Sequence, residues 1–243
     1  NKVIISLDPT DATAGTSYFD YNAFQTFMFD LDYQVTQVGT VELANGETVA
    51  AGGTYASSSV TNLTVDDFQA AEVTNKAGKT IPYRYYDPIR SAGKDANGKY
   101  PVGIFLHGAG ESGDNNISHI IANKGAVVWA DRVDMNPCYV LAPQCPSMAE
   151  GWVQEDNEAL VMQMLDEFIA AHADTIDTDR IYIQGLSMGG YGTWKIILDH
   201  PEVFAAAMPM CGGVDDSYYA NNNAAFEKIK NMAIWTFHNA DDS

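Results

Sequence analysis

A serine between two glycines is the residue of this chain with the clearest chemical potential. Ser187 lies between Gly185 and Gly189 in the stretch QGLSMGGYGTW (residues 184–194), and Gly190 follows directly. A serine hydroxyl becomes a useful nucleophile only when a general base takes its proton, an acid orients that base, and N–H donors hold the oxyanion. Unless other segments supply these groups, the stretch is simply a small-residue turn between a strand and a helix.

A second glycine-rich segment could supply the oxyanion donors. The stretch LHGAGESGDNN (residues 106–116) follows an apolar run, VGIF, at the end of a predicted buried strand. We expect the donors to be the backbone N–H groups of Ala109 and Met188. Ser187 would place its hydroxyl at the head of the helix predicted from residue 189, where the helix dipole favours developing negative charge. His107 precedes the serine and is interpreted as a hydrogen-bonded loop residue.

Two adjacent carboxylates near the end of the chain could supply the orienting acid. Asp241 and Asp242 follow the apolar run AIWTF and the residues HNA. Where the nucleophile sits on a strand-to-helix turn of this kind, the acid follows the serine in the chain and the histidine follows the acid. Asp242 lies four residues after His238, the spacing that we expect of the acid, and Asp241 is the alternative.

The general base is harder to place among the five histidines of the chain. None of them follows Asp242. His172 and His200 fall at the ends of predicted helices, and His238 is interpreted as too near the acid, along one strand end, to be its partner. We therefore expect the catalytic histidine in sequence beyond Ser243, and without it the serine should be nearly inactive.

The elements that must position these residues alternate along the chain from about residue 67. Short apolar runs that do not alternate with polar residues indicate strands buried on both faces of a mostly parallel sheet. Helical periodicity separates the later runs, which indicates an α/β fold. Strands are predicted at 81–88, 102–108, 138–144, 181–187, 206–213 and 233–239, and helices at 157–173, 189–200 and 223–231. Ser187, the Ala109 loop and the two aspartates would then all lie at the carboxyl ends of strands, where ligands bind.

The first 66 residues have a different character and carry no cluster suited to chemistry. Short β-branched segments separated by Gly and Asn turns favour antiparallel strands. We predict two domains: a β-rich module over residues 1–66, interpreted as a small sandwich, and an α/β domain over 67–243 that is incomplete at its C-terminal end. The alternative is that the first segment is an irregular extension of the second.

Charge and cysteine usage exclude several classes of function. The chain has 13 Lys and Arg against 32 Asp and Glu, a net charge of −19, so nucleic acid is not an expected partner. No apolar run reaches the length of about 18 residues that a membrane span needs. Cys138, Cys145 and Cys211 show no metal-ligand spacing, so neither a metal nor a cofactor is expected. We expect three buried free thiols, because a Cys138–Cys145 bridge would have to join the two ends of a strand.

Several longer stretches resemble one family. GIFLHGAGESGDN, YVLAPQCP followed by GW, DTDRIYIQGLSMGGYGTWKIILDHPEVFAAAMPMCGG and IWTFHNADDS are similar to the α/β-hydrolase esterases labelled predicted peptidases. That group is related to polyhydroxybutyrate depolymerase-like and feruloyl esterases. The resemblance covers residues 67–243. It implies a triad of Ser187, Asp242 and a later histidine, and some members carry an immunoglobulin-like domain where this chain has its β-rich segment. Asn239 stands where the family usually has glycine.

The resemblance implies a serine esterase that cleaves short acyl esters or phenolic esters of plant cell walls. The substrate would be a small molecule or an ester linked to a polysaccharide, and the protein would be secreted or periplasmic. Trp152 and Trp194 are candidates for lining the substrate pocket, although packing against the sheet is the more ordinary role for both. The alternative function is that of a catalytically incomplete hydrolase that binds a polysaccharide or a protein partner.

Overall fold

The apolar runs of the sequence form one seven-stranded sheet with helices on both faces. This computed structural model describes residues 5–8, 11, 14–28, 31–92, 98–214 and 223–242. The sheet consists of β7 (Gln69–Thr74), β8 (Thr80–Tyr86), β9 (Tyr100–Leu106), β10 (Tyr139–Pro143), β11 (Ile176–Leu186), β12 (Ala206–Met210) and β13 (Ala233–Ile234). The described helices are α1 (Ile89–Ala92), α2 (Ser118–Ile121), α3 (Val127–Asp131), α4 (Glu155–Ala171), α5 (Met188–Asp199) and α6 (Asn223–Ile229).

The strand order of this sheet is β13-β12-β11-β9-β10-β8-β7. Strands β9 to β13 pair in parallel, whereas β8 runs antiparallel to both β7 and β10. The predicted α/β architecture with a mostly parallel sheet is therefore confirmed. Strand β13 is shorter than the predicted run, although a further parallel bridge joins Met210 to Phe237 and keeps the chain alongside β12.

Side-chain alternation explains why the central strands are apolar at every position. Ile104 and Leu106 of β9 belong to the core cluster that includes α4, α5 and α6, while Phe105 between them belongs to the cluster on the opposite face. Leu141 and Val140 of β10 divide in the same way. Successive residues of a strand point to opposite faces, so a sheet covered on both sides needs apolar residues at both.

Helix α4 covers the sheet with the stripe that the sequence predicts. Its buried apolar side chains are Leu160, Val161, Met164, Leu165 and Phe168. The first turn carries acidic residues, which the positive end of the helix dipole favours. The helix ends at His172, whose Nδ1 lies 2.9 Å from the Phe168 carbonyl oxygen, and this histidine therefore caps the helix as its position suggested.

The expected all-β character of the N-terminal segment is confirmed. Its described strands are β1 (Ser17–Asp20), β2 (Gln25–Met28), β3 (Gln34–Thr36), β4 (Val41–Glu42), β5 (Thr48–Val49) and β6 (Thr54–Ala56). Within the described part of the segment they pair as β1-β2, β3-β6 and β4-β5, each a separate antiparallel sheet. The immunoglobulin-like sandwich and the domain boundary at residue 67 stay predictions. Among the described residues, no helix has the length and apolarity needed to cross a membrane.

The packing of α4 against the sheet predicts a large cost for shortening one of its core side chains. Leu160 is fully buried, and Leu160→Ala should lower the free energy of unfolding by about 2–5 kcal/mol because it leaves a cavity. Leu63 is 85% exposed, and Leu63→Ala should change it by no more than about 0.5 kcal/mol. Urea denaturation of the two variants measures the difference, and equal stabilities would contradict this placement of α4.

Candidate active site

The turn between β11 and α5 has the geometry of a nucleophile elbow. Ser187 has φ 54° and ψ −116°, a conformation that side-chain-bearing residues rarely adopt, and its side chain is exposed. Helix α5 begins at the next residue, Met188. The Ser187 N–H donates to the Met210 carbonyl oxygen at 2.8 Å, which ties the turn to the end of β12. The exposed hydroxyl therefore stands at the positive end of a twelve-residue helix.

The glycines around Ser187 are required because other backbone atoms approach them. A Cβ atom on Gly185 would collide with the Gly189 carbonyl oxygen, and one on Gly189 would collide with the Leu106 carbonyl oxygen at the end of β9. Helix α5 therefore starts closer to β9 and β11 than any side chain at these positions would permit. The Gly-x-Ser-x-Gly spacing is a consequence of this close packing.

The predicted oxyanion loop lies beside the serine. A Cβ atom on Gly108 would be 3.7 Å from Ser187 Cβ, so the loop and the elbow are in van der Waals contact. Residues Ala109–Glu111 form a single 3-10 turn that begins at Gly108. In the described part of the chain, neither the Ala109 N–H nor the Met188 N–H is paired with a protein acceptor. Unpaired N–H groups at the starts of two helical turns are suitable donors for an oxyanion.

His107 fixes the start of this loop as a buried neutral imidazole. Its Nδ1 lies 2.6 Å from the Gly108 carbonyl oxygen, and its Nε2 accepts the Cys145 N–H at 2.9 Å. The first contact needs a proton on Nδ1 and the second needs a free lone pair on Nε2. Burial lowers the pKa of His107 to about 4, since the charged form is poorly solvated there. The imidazole is therefore a structural group of the loop.

The candidate acid is in contact with a histidine of the same strand end. Asp242 Oδ2 lies 3.4 Å from Nδ1 of His238, which stands four residues earlier in the chain. The chain turns after Phe237, where the Asp242 N–H donates to the Asn239 carbonyl oxygen at 3.2 Å, and this turn brings the side chains together. Within the described residues Asp241 makes no such contact, so the structure favours Asp242 of the two aspartates.

Hydrogen bonds between strand ends join the acid to the elbow. The Cys211 N–H donates to the Phe237 carbonyl oxygen at 2.8 Å, and His238 Nε2 lies 3.2 Å from the Gly212 carbonyl oxygen. Gly212 packs in turn against Gly190 of α5, with no room for a Cβ atom on either residue. The segments that follow β11, β12 and β13 are thus held together within a few ångströms.

Cys211 is a member of this group that the sequence did not reveal. All three cysteines are free, and Cys138 and Cys145 are buried as expected, but Cys211 is only half-buried. It has a positive φ of 51°. Desolvation, a hydrogen bond to Asp242 and the charge of that carboxylate all raise the pKa of the Cys211 thiol. The thiol is therefore protonated at neutral pH and does not compete with Ser187 as a nucleophile.

A cavity of about 720 Å³ opens beside Ser187. Its lining is largely apolar and includes Met148, Trp152, Val153, Met188, Tyr191 and Val214. Trp152 is among the residues around this cavity, but it is fully buried in the main core, and its indole N–H donates to the His107 carbonyl oxygen at 3.0 Å. Trp194 does not line the cavity. It lies half-buried against the main core.

A buried cation forms part of the cavity wall and was also missed by sequence reasoning. Lys195 Nζ lies 2.7 Å from Glu158 and 2.5 Å from Asp199, so its charge is balanced by carboxylates of α4 and α5. Desolvation raises the pKa of Glu158 despite the lysine.

Among the residues that the structure describes, no group of three or more His, Cys, Asp or Glu side chains is arranged to hold a metal ion.

The chain is similar to known hydrolases over different lengths. Residues 158–241 match the prolyl oligopeptidase family. A crystal structure of a thermostable esterase is 38% identical with a TM-score of 0.83, covering 98% of this chain and 63% of that chain. Poly(3-hydroxyalkanoate) depolymerase C of Paucimonas lemoignei is 31% identical over 125 residues, which are 46% of this chain and 28% of the depolymerase. A ferulic acid esterase structure, 20% identical with a TM-score of 0.47 over 68% of each chain, carries no argument about substrate.

The sheet, the elbow and these similarities define the chain as an α/β-hydrolase. Within that fold it is similar to a thermostable esterase and to a polyhydroxyalkanoate depolymerase, in line with the resemblance of its motifs. The chain spans only 63% of the length of the esterase and 28% of the length of the depolymerase that it matches.

The buried imidazole of His107 predicts a loss of stability in mild acid. An unfolded histidine has a pKa near 6.5, whereas folded His107 has a pKa of about 4. Between these values the unfolded chain binds a proton that the folded chain does not. The free energy of unfolding therefore decreases by up to about 1.4 kcal/mol for each unit by which the pH is lowered. His107→Gln keeps an acceptor for Cys145 and should reduce that slope, while buried His119, whose pKa is also lowered by desolvation, keeps its own contribution. Urea denaturation at pH 7, 6 and 5 measures it, and identical slopes for both proteins would contradict the assignment.

Proposed function

We propose that the protein is a serine hydrolase that cleaves carboxylic esters, with Ser187 as the nucleophile. The observation that carries the proposal is the strained, exposed serine at the start of α5, in contact with a loop that presents an unpaired N–H group. The 38% identity to an esterase over almost the whole of this chain supports the same reaction class. Because the activity of that relative belongs to a longer protein, it comes to this chain as a proposal.

The reaction follows from the groups around the serine. Ser187 Oγ attacks the ester carbonyl carbon while a histidine takes its proton, and the carbonyl oxygen becomes an oxyanion held by the Ala109 and Met188 N–H groups. The tetrahedral intermediate collapses, the alcohol leaves with the proton from the histidine, and the acyl group remains on Ser187. Water activated by the same histidine then releases the carboxylic acid. Asp242 would hold that histidine in the required tautomer.

The source of the base is a separate part of the proposal. Within the described residues no histidine nitrogen is hydrogen-bonded to Ser187 Oγ, and His238 already contacts Asp242 and the Gly212 carbonyl oxygen. We propose that the base is a histidine in sequence that follows Ser243, in agreement with the chain order of this fold. In the 243-residue chain, added imidazole should then stimulate ester cleavage, whereas His238→Asn should leave the stimulated rate nearly unchanged.

The apolar cavity beside Ser187 supports a substrate with an apolar or aromatic acyl group. Met188 and Tyr191 offer a thioether and a ring to such a group, while the net charge of −19 disfavours strongly anionic substrates. We therefore propose short acyl or phenolic esters, free or attached to a polysaccharide. The competing function is that of a non-catalytic binding protein, which predicts no serine-dependent turnover at all.

Replacing the nucleophile should abolish activity. Ser187→Ala should lower the imidazole-stimulated hydrolysis of p-nitrophenyl acetate to the rate that imidazole gives without protein, because no acyl-enzyme can form. It should also prevent covalent labelling by a fluorophosphonate. Ser57→Ala, which alters an exposed serine far along the chain in the N-terminal segment, is the matched control. Equal labelling of the two variants would show that Ser187 is not the nucleophile.

Replacing each aspartate separately should identify the acid. In a longer protein that carries the proposed histidine, Asp242→Asn should lower kcat for p-nitrophenyl acetate by about 100-fold or more, because an amide cannot stabilise the imidazolium that forms. Asp241→Asn removes the same charge one residue away and should change kcat by less than about threefold. For both variants, kcat is expressed per molecule of protein whose Ser187 the fluorophosphonate can label. A larger loss in Asp241→Asn would reverse the assignment.

A further inference from the structure

We propose that the N-terminal hairpin formed by β1 and β2 is part of the active site, with Phe19 as a positioning residue for the oxyanion loop (residues 108–113). The inference rests on the proposed esterase function for its kinetic consequence. The hairpin belongs to the segment in which the sequence showed no chemistry-bearing cluster, and its role follows from where the fold places it.

The central contact joins the ring of Phe19 to the backbone of Gly110. A Cβ atom on Gly110 would lie 2.6 Å from Phe19 Cε2 and 3.4–3.5 Å from two further ring atoms. The ring therefore lies directly over the Gly110 Cα atom and occupies the space of its missing side chain. Gly110 is buried and directly follows Ala109, the proposed oxyanion donor.

Two hydrogen bonds attach the hairpin beyond Gly110. Gln25 Nε2 donates to the Ser112 carbonyl oxygen at 3.3 Å, and Ser118 Oγ, at the start of α2, lies 3.5 Å from the Thr26 carbonyl oxygen. Thr26 is buried in this interface. Strand β2 thus contacts the loop at the end opposite to Gly108, while Phe19 of β1 contacts its middle.

The loop needs external support because it contains little structure of its own. Its 3-10 turn is closed by long hydrogen bonds, from the Glu111 N–H to the Gly108 carbonyl oxygen at 3.4 Å and from the Ser112 N–H to the Ala109 carbonyl oxygen at 3.2 Å. An isolated turn of this kind is marginal. The α/β domain supports one side through Gln144 Nε2, which donates to the Glu111 carbonyl oxygen at 3.0 Å. The hairpin supplies a second set of contacts.

The hairpin is built to hold Phe19 in place. Tyr21 and Phe24 contact the Phe19 ring edge-to-face, with centroid distances of 5.1 and 5.4 Å. The turn between them is tightened by Asp20 Oδ1, which accepts the N–H groups of Asn22 and Ala23. Tyr21 remains 86% exposed while it makes this contact.

The opposite face of the same hairpin provides a control. Side chains alternate between faces of a strand, so Tyr18 points away from Phe19 and instead stacks on Phe27 at 5.7 Å. Phe27 is 36% exposed. Truncating Phe27 removes an aromatic ring from the hairpin without removing the contact with Gly110.

The position of the loop bears on the chemical step more than on substrate binding. An oxyanion donor acts on charge that appears only in the transition state, so a shift of the Ala109 N–H lowers kcat and leaves KM nearly unchanged. Small displacements of such groups strongly lower the rate of the chemical step. Phe19 contacts neither the cavity beside Ser187 nor the serine itself. If Phe19 only stabilised the fold, its removal would lower stability and leave kcat unchanged.

The test compares Phe19→Ala with Phe27→Ala in imidazole-stimulated p-nitrophenyl acetate hydrolysis, corrected for the rate of imidazole alone, and in amide hydrogen exchange. Phe19→Ala should lower kcat by about 10- to 100-fold with KM changed by less than about twofold, and should speed exchange in residues 108–113. Phe27→Ala should change kcat less than about twofold and leave that exchange unchanged. Phe19→Leu, which keeps an apolar group over Gly110, should restore most of kcat and secures the comparison if Phe19→Ala folds poorly.

Several outcomes would overturn the proposal. Equal kcat values for the two alanine variants, a rise in KM alone, or loop exchange that is the same in both would each show that Phe19 does not position the loop. The hydrogen exchange does not depend on turnover. If Ser187-dependent hydrolysis is absent, the proposed function fails, and exchange in residues 108–113 still decides whether the hairpin holds the loop.

Discussion

The close approach of three backbones at the end of β11 is the constraint on which the site depends. Helix α5 starts so near the ends of β9 and β11 that Gly185 and Gly189 can carry no side chain. That approach forces Ser187 into a strained conformation and exposes its hydroxyl at the head of the helix. It also brings the loop after β9 into contact with the serine, so the proposed nucleophile and the proposed oxyanion donor are placed by the same close packing.

The sheet supplies the rest of the site through its strand order. Because β11 lies between β9 and β12, the loop after each neighbouring strand reaches the serine from a different side. The Met210 carbonyl oxygen accepts the Ser187 N–H, and the Cys211 N–H donates to Phe237, so the acid-bearing turn is connected to the elbow by backbone hydrogen bonds. Such bonds depend on register and are insensitive to side-chain identity. The neutral imidazole of His107 stabilises the loop on the other side without adding charge beside a developing oxyanion.

The N-terminal hairpin carries no group suited to chemistry, yet it packs on the loop that we propose holds the oxyanion. Its contact with Gly110 joins residues about ninety positions apart, and the glycine is what allows an aromatic ring to lie on the backbone. An oxyanion loop held from both the α/β domain and the hairpin has less freedom than one held by either alone. Preorganised donors of this kind need no rearrangement when negative charge develops.

The sequence by itself determined the local features of this protein. The unbroken apolar runs gave the buried strands, the stripe of α4 gave its buried face, and Gly-x-Ser-x-Gly between a strand and a helix identified the elbow, since each of these signals depends on neighbours along the chain. Tertiary structure alone decided the contacts between distant segments: His238 with Asp242, Cys211 beside that acid, Trp152 rather than Trp194 at the cavity, and Phe19 on Gly110. These contacts depend on the direction in which each strand end points and on which side chain fills the remaining space. Both are fixed only when the helices have packed against the sheet.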